Sequence, residues 1–139
     1  MLSEAPVLIA EDNLYLSLDL SSAVEDMGGR VIGPASSVPE ALTLLAQHEI
    51  AAAIIDFQLG DSDATVLARQ LAERRVPFVI HTASTLPALI ADLHPDVPVL
   101  MKPLKAQAIL TCLLDEIRKS PQSRRDEQWM RGPKLGFDH

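Results

Sequence analysis

The sequence predicts an α/β protein with a doubly wound parallel sheet, because short apolar runs alternate five times with amphipathic helical segments. The runs are continuously apolar, as in strands that are covered by helices on both faces. At 139 residues the chain is long enough for one core and too short for two ordinary domains. Right-handed crossovers then give a flavodoxin-like sheet of five parallel strands, (βα)5, with strand order 2-1-3-4-5.

The first half of the chain contains three apolar runs and two helical segments with recognisable ends. The runs cover residues 7–10, 30–33 and 51–55. Asn13 can cap the first helix, and Gly28 can end it, since glycine tolerates the left-handed turn that follows many helices. Ser37 followed by Glu40 has the spacing of a capping box, which predicts the start of the second helix.

The second half repeats this alternation after a polar stretch. Residues 60–63 are predicted to form a loop, and a third helix follows them. Apolar runs at 77–80 and 97–101 predict the fourth and fifth strands, with a short fourth helix at 87–93 between them. The fifth helix has apolar residues at helical spacing, namely Ile109, Leu110, Leu113, Leu114 and Ile117. We assign residues 1–118 to one domain and residues 119–139 to a flexible C-terminal extension.

Composition and charge argue against several classes of function. Residues 1–117 carry 16 acidic and 6 basic side chains, so the domain lacks the basic face that nucleic acid binding needs. Cys112 is the single cysteine, which rules out a disulfide framework and indicates a reducing compartment. The chain does not start like a signal peptide, and no apolar run approaches the length of a membrane span. We therefore expect a cytoplasmic protein with no membrane span and no nucleic acid partner.

Polar residues follow four of the five apolar runs: Asp12, Asp56, Thr82 and Lys102. Ligands of an open parallel sheet bind outside the carboxyl ends of the strands, so these four side chains should meet at one edge. Carboxylates hold divalent cations, while a hydroxyl and an ammonium group suit the oxygens of a phosphoryl group. Helix capping would explain either aspartate alone, but the complete set predicts a site that accepts a phosphoryl group.

The order of these motifs resembles the receiver domain of two-component response regulators. The motifs are Glu11-Asp12, Asp56, Thr82-Ala83 and Lys102-Pro103. Each motif alone is weak evidence, but four in this order at strand ends are specific. The resemblance covers residues 6–118, and Gly33-Pro34 after the second strand is similar to single-domain receivers known from alphaproteobacteria.

This resemblance implies a role for each matching residue. Asp56 would be the phosphoacceptor. Thr82 would hydrogen-bond a phosphoryl oxygen, and Lys102 would pair with the carboxylate before phosphorylation and with the phosphoryl group afterwards. The peptide bond between Lys102 and Pro103 is expected to be cis. Ser84 occupies a position that tunes the lifetime of the phosphorylated state in relatives.

The resemblance also implies a bound Mg²⁺ ion. Asp12 and Asp56 would ligate it together with the backbone carbonyl of Gln58, and Glu11 would act through water. Mg²⁺ prefers few carboxylates, several waters and phosphate oxygens, so this sparse set of ligands is chemically reasonable.

Proteins are the expected partners of such a domain. The phosphoryl group would come from a histidine kinase or a phosphotransfer protein, and the signal would pass to an unknown downstream protein or along a phosphorelay. The expected readout face comprises the fourth helix, fifth strand and fifth helix, around Leu89, Val99 and Leu110, and a homodimer could form there. The alternative for Leu110 is a place in the core, which is also what we expect for Leu114. Relatives usually carry an aromatic residue where this chain has Val99.

Two other classes of function compete with this one. A degenerate receiver would bind proteins independently of phosphorylation. The intact Asp12, Asp56, Thr82 and Lys102 argue against it, while Val99 and the short fourth helix leave it open. A phosphohydrolase of the haloacid dehalogenase type needs an acid two positions after its nucleophile, where Gln58 stands. We therefore expect no enzymatic activity beyond the domain's own phosphorylation and dephosphorylation. His81 directly precedes Thr82 and could line the rim of the site.

Overall fold

The computed structural model describes residues 2–83 and 97–119. Its strands are β1 (Pro6–Ala10), β2 (Arg30–Ala35), β3 (Ala52–Ile55), β4 (Gln58–Leu59), β5 (Ser62–Asp63), β6 (Phe78–Thr82) and β7 (Val99–Met101). Its helices are α1 (Leu14–Asp26), α2 (Val38–Gln47), α3 (Thr65–Glu73) and α4 (Ala106–Lys119). The predicted helix at 87–93, Ser84, Leu89 and residues 120–139 lie outside the described residues.

Five parallel strands form the central sheet in the order β2-β1-β3-β6-β7. This order confirms the predicted 2-1-3-4-5, since β6 and β7 are the fourth and fifth predicted strands. None of the helices in the described part of the chain is both long and apolar enough to cross a membrane.

The predicted loop at 60–63 is wrong in detail, because β4 and β5 form a two-stranded antiparallel hairpin there. Gly60 has a φ of 63°, in the left-handed region that suits glycine at a tight turn. Leu59 is buried and anchors the hairpin on the core. Strands of two residues have no measurable periodicity, so they could not be predicted from the apolar pattern.

The helix caps follow the predicted chemistry closely. The backbone N–H of Leu16 donates to Asn13 Oδ1 at 3.0 Å, and that of Glu40 donates to Ser37 Oγ at 3.2 Å. The Glu40 carboxylate accepts from the backbone N–H of Ser36 at 2.9 Å, one residue earlier than in a standard capping box. These caps set the direction in which α1 and α2 leave the strands.

Apolar side chains pack on both faces of the sheet. One cluster joins the sheet to α2 and α3, and its largest members include Leu8, Ile55, Ile80, Leu45, Leu67 and Leu71. The other joins the sheet to α1 and α4, and it includes Ile9, Ile54, Val79, Leu20, Ile109 and Leu113. Successive residues of β1, β3 and β6 alternate between the clusters, as side chains of a strand must.

Leu110 was expected on the readout face, and this expectation is wrong. It is 0% exposed and belongs to the cluster beneath α4, because α4 packs a face that includes Ile109, Leu110 and Leu113 against the sheet. Leu114 is half-buried at the border of the same cluster. Val99 is 40% exposed, so it remains a surface residue of this region.

Candidate functional site

An ion-paired cluster lies at the carboxyl edge of the sheet. The Lys102 ammonium Nζ lies 2.9 Å from Asp56 Oδ2 and 3.2 Å from Glu11 Oε1. Glu11 is 3% exposed and Asp56 is 6% exposed, while the Lys102 side chain is 21% exposed. The predicted contact between Lys102 and the phosphoacceptor candidate is therefore present, and a second buried acid joins it.

Backbone pairing across the sheet brings these residues together. The N–H of Asp56 donates to the carbonyl of Ala10 at 2.8 Å, which extends the β1–β3 ladder to the end of β3. The N–H of Lys102 donates to the carbonyl of Thr82 at 2.8 Å, so the lysine leaves β7 beside the end of β6. The Lys102–Pro103 peptide bond is cis, as predicted.

The other end of the Asp56 carboxylate is also held. The backbone N–H of Gln58 donates to Asp56 Oδ1 at 3.2 Å, opposite the lysine contact at Oδ2. Gln58 lies in β4 and is exposed. The carboxylate therefore has a fixed orientation, with one oxygen on the ammonium group and the other on a backbone amide.

Three carboxylates converge at this edge. Ligand oxygens of Glu11, Asp12 and Asp56 all lie within 4.8 Å of one another. Asp12 is exposed, and its Oδ2 accepts a hydrogen bond from the backbone N–H of Gly60 at 2.9 Å. Three carboxylates against a single ammonium group leave an excess of negative charge, and hard oxygen donors are what Mg²⁺ prefers. The donor set therefore fits a magnesium ion.

The surroundings shift the pKa of two members of the cluster. Burial raises the pKa of Glu11 above its ordinary value, and the neighbouring charge of Asp56 adds to this, against the opposing hydrogen bond from Asn13 N–H and the charge of Lys102. Burial alone would lower the pKa of Lys102, but its hydrogen bonds and charge interactions with Asp56 and Glu11 leave it raised. Lys102 therefore stays positively charged at neutral pH.

Thr82 and His81 occupy the last two positions of β6. Thr82 is 1% exposed and sits beside the point where Lys102 leaves β7. His81 is also 1% exposed, so it belongs to the interior and not to the rim of the site. Burial and then the charge of Lys102 lower its pKa, which keeps the imidazole neutral.

Two features of the site were not predictable from the sequence. The direct pairing of Glu11 with Lys102 has no sequence signal, because an acid at a strand end can equally well be solvated. The hydrogen bond from Gly60 N–H to Asp12 has none either, because the strands of the hairpin that carries Gly60 are too short to show a pattern. His81 directly follows the apolar residues Phe78–Ile80. A histidine at the end of such a run was the available sequence signal that this position differs from an ordinary core position.

Comparisons with known proteins agree with this architecture. No family model matches the chain. The curated transcriptional regulatory protein PdtaR of Mycobacterium tuberculosis is 32% identical over 78 residues, which are 55% of this chain and 38% of that protein. The match thus spans well under half the length of that relative.

Solved structures of receiver domains resemble most of the chain. A response regulator receiver protein from Sinorhizobium medicae has a TM-score of 0.73 at 25% identity, covering 85% of this chain and 98% of that one. A CheY-like receiver domain protein from Methanospirillum hungatei has a TM-score of 0.74 at 19% identity, covering 84% and 96%.

A third similar structure holds a metal ion. The receiver domain of a sensor histidine kinase from Pseudomonas aeruginosa has a magnesium ion coordinated in its active site cleft. It matches with a TM-score of 0.67 at 23% identity, covering 81% of this chain and 97% of that one. The strand order, the order of the motifs at the strand ends and these similarities show that the chain has the receiver-domain fold and is similar to response regulator receiver proteins.

Proposed function

We propose that Asp56 accepts a phosphoryl group from a histidine kinase or a phosphotransfer protein, and that the phosphorylated domain signals by binding another protein. The observation that carries this proposal is the 2.9 Å contact between the Lys102 ammonium and Asp56 Oδ2 at the edge of the sheet. The buried Asp56 carboxylate and a positive charge lie side by side, an arrangement that supports a role in phosphoryl transfer. Catalysis of phosphoryl transfer depends mainly on such positioning and on charge stabilisation.

The transfer requires one bond to form and one to break. A carboxylate oxygen of Asp56 attacks the phosphorus atom, and the bond from phosphorus to the donor's imidazole nitrogen breaks, with its electron pair staying on that nitrogen. The product is an acyl phosphate on Asp56. Lys102 stabilises negative charge on the transferred group, and the Thr82 hydroxyl donates to one of its oxygens.

Asp12 and Asp56 are the carboxylates that would ligate Mg²⁺, together with the backbone carbonyl of Gln58, and Glu11 would act through water. When bound, this ion would neutralise charge on the phosphoryl oxygens. The convergence of the three carboxylates supports this assignment, as does the magnesium ion in the receiver domain from Pseudomonas aeruginosa. The hydrogen bond from Gly60 to Asp12 orients that carboxylate before any ion arrives.

The exposed start of α1 is a suitable docking surface for the phosphoryl donor. Leu14, Tyr15 and Leu18 are 65%, 80% and 56% exposed, and α1 begins directly after Asp12 and Asn13. A protein donor that brings a phosphohistidine to Asp56 must cover this edge, where it would bury these side chains. Large exposed apolar groups are common at protein interfaces.

A second surface would serve the downstream partner. Val99, Met101 and Leu104 are exposed apolar side chains on β7 and just after Lys102. Movement of Lys102 toward a phosphoryl group would alter this stretch of backbone. The buried Leu110 plays no direct part in this surface.

Intact-mass spectrometry with acetyl phosphate tests the phosphoacceptor directly. We expect wild-type protein to gain one phosphoryl group in the presence of Mg²⁺ and far less in EDTA. Asp56→Asn should gain none, because the amide is not a nucleophile for phosphorus. Asp63→Asn is the matched control, since Asp63 is an exposed aspartate in β5, outside the ion-paired cluster. This variant should take up a phosphoryl group as the wild type does. A folded wild-type protein that takes up no phosphoryl group would favour the phosphorylation-independent binding module.

Tyr15→Ser separates donor docking from chemistry. With any histidine-phosphorylated donor protein that transfers to the wild type, we expect the variant to react about tenfold more slowly, as for loss of an interface aromatic. Its rate with acetyl phosphate should not change, because the Tyr15 side chain is 80% exposed on the surface of α1. Equal slowing with both donors would contradict a docking role.

A further inference from the structure

His81 is a buried polar side chain whose hydrogen-bonding groups are not satisfied. It is 1% exposed, and neither Nδ1 nor Nε2 has a hydrogen-bond partner among the described residues. A neutral imidazole carries one N–H donor and one acceptor nitrogen. Leaving both unpaired in the interior costs free energy, so such a group in a folded protein calls for an explanation.

The position of His81 links the ion-paired cluster to the core beneath α4. It directly precedes Thr82 on β6 and pairs with Leu100 on β7, two residues before Lys102. Val79 lies on the face of the sheet that α1 and α4 cover, and strand side chains alternate, so His81 faces the same side. Lys102 and Asp56 are close enough for their charges to influence the imidazole.

The residue that usually reports phosphorylation in similar domains is absent here. Val99 stands at the position where an aromatic ring would rotate, and it is 40% exposed. A valine side chain carries no hydrogen-bonding group and fills little volume. A polar side chain near Asp56 would be better suited than Val99 to respond to a change of charge there.

We propose that His81 is the positioning residue that transmits phosphorylation of Asp56 to α4. This inference rests on the proposed function, because it needs a phosphoryl group at Asp56. In this chain the buried His81 would respond to phosphorylation, in place of the aromatic residue that similar domains carry at the position of Val99.

The transmission follows from the backbone and from the unpaired nitrogens. Thr82 and Lys102 turn toward the phosphoryl oxygens, and His81 shares a peptide bond with Thr82, so its imidazole is reoriented. In the unphosphorylated protein the two unpaired nitrogens of His81 cost free energy. A conformation in which the imidazole forms a hydrogen bond would therefore be favoured. The apolar residues that cover this face from α4, including Ile109 and Leu113, must then repack.

Nuclear magnetic resonance on ¹⁵N-labelled protein tests this proposal, with Mg²⁺ and excess acetyl phosphate as the probe. We expect the ring signals of His81 and the backbone amide signals of α4 to shift on phosphorylation. His48 is an exposed histidine just after α2, and its ring signals should stay unchanged as an internal control.

His81→Phe removes the polar atoms while keeping a planar ring. We expect the variant to take up one phosphoryl group on Asp56, as intact mass will show, but to lose about half or more of the α4 amide shifts, since the two-state bias has gone. His81→Gln retains a donor and an acceptor, so it should recover part of the α4 response. It also serves if the phenylalanine variant fails to fold.

The outcomes separate this inference from the proposed function. If wild-type protein is not phosphorylated, the proposed function fails and the inference falls with it. If phosphorylation proceeds but the His81 ring signals do not move, or the α4 shifts of both variants equal those of the wild type, only the role of His81 is overturned.

Discussion

Two sets of buried polar groups on neighbouring strands of the sheet differ in how well their hydrogen-bonding and charge requirements are satisfied. Glu11 and Asp56 both contact Lys102, at 3.2 and 2.9 Å, so each of these buried carboxylates has a cationic partner. His81 is equally buried, yet both its ring nitrogens lack hydrogen-bond partners within the described part of the chain. The ion pairs of Lys102 stabilise the observed conformation. The unpaired imidazole of His81 instead favours a conformation in which its nitrogens form hydrogen bonds. The proposed function would use both properties, because it requires a preorganised site and a conformation that can switch.

Removing the central cation should have the largest effect on stability. Lys102→Met keeps the apolar stem but leaves two buried carboxylates facing each other. We expect the free energy of unfolding to fall by about 3 kcal/mol, which is typical when one partner of a buried ion pair is removed. Urea denaturation in EDTA measures this change. Addition of Mg²⁺ should restore part of the loss, because a bound cation replaces the missing charge. A loss below about 1 kcal/mol would mean that water already screens the cluster.

The pH dependence of stability should show the opposite behaviour of His81. Its pKa lies below the ordinary 6.5 in the folded state, so the unfolded chain takes up a proton first as the pH falls. Stability should therefore decrease as the pH drops from about 6.5 through the lowered folded pKa, and then level off. His81→Phe should lack this decrease.

Glu11 changes the stability with pH in the opposite direction to His81, so its effect has to be controlled for. Its folded pKa is raised above 4.5, so it makes the protein less stable as the pH rises through that window. Because Glu11 is present in both proteins, its effect cancels when denaturation of wild type and His81→Phe is compared between pH 5 and pH 7. A constant difference between the two proteins over this range would show that His81 does not titrate differently on unfolding.

An exposed ion pair should contribute least. The Lys119 ammonium lies 3.4 Å from Glu116 Oε2, but the lysine side chain is 73% exposed. Lys119→Met should change the free energy of unfolding by less than about 0.5 kcal/mol, since solvent screens such pairs. The same urea titration measures it. A loss of stability as large as that of Lys102→Met would contradict the expectation that a buried ion pair contributes more to stability than an exposed one.

Much of the fold was predictable because local signals and the global arrangement agree. The apolar runs predicted all five strands of the central sheet and their order, and Asn13 and Ser37 marked the starts of α1 and α2 as expected. The hairpin of β4 and β5 escaped prediction, since its strands have two residues each. Leu110 was misplaced because helical spacing defines an apolar face without stating its width.

The sequence by itself determined which residues reach the carboxyl edge of the sheet. Asp12, Asp56, Thr82 and Lys102 each follow an apolar run, and parallel strands must end at the same side. Only the tertiary structure decided how those residues are satisfied. The pairing of Glu11 with Lys102, the bond from Gly60 to Asp12 and the isolation of the His81 ring depend on distances between segments far apart in the chain. Hydrogen bonds and ion pairs depend on geometry of a few tenths of an ångström, which a one-dimensional pattern does not carry.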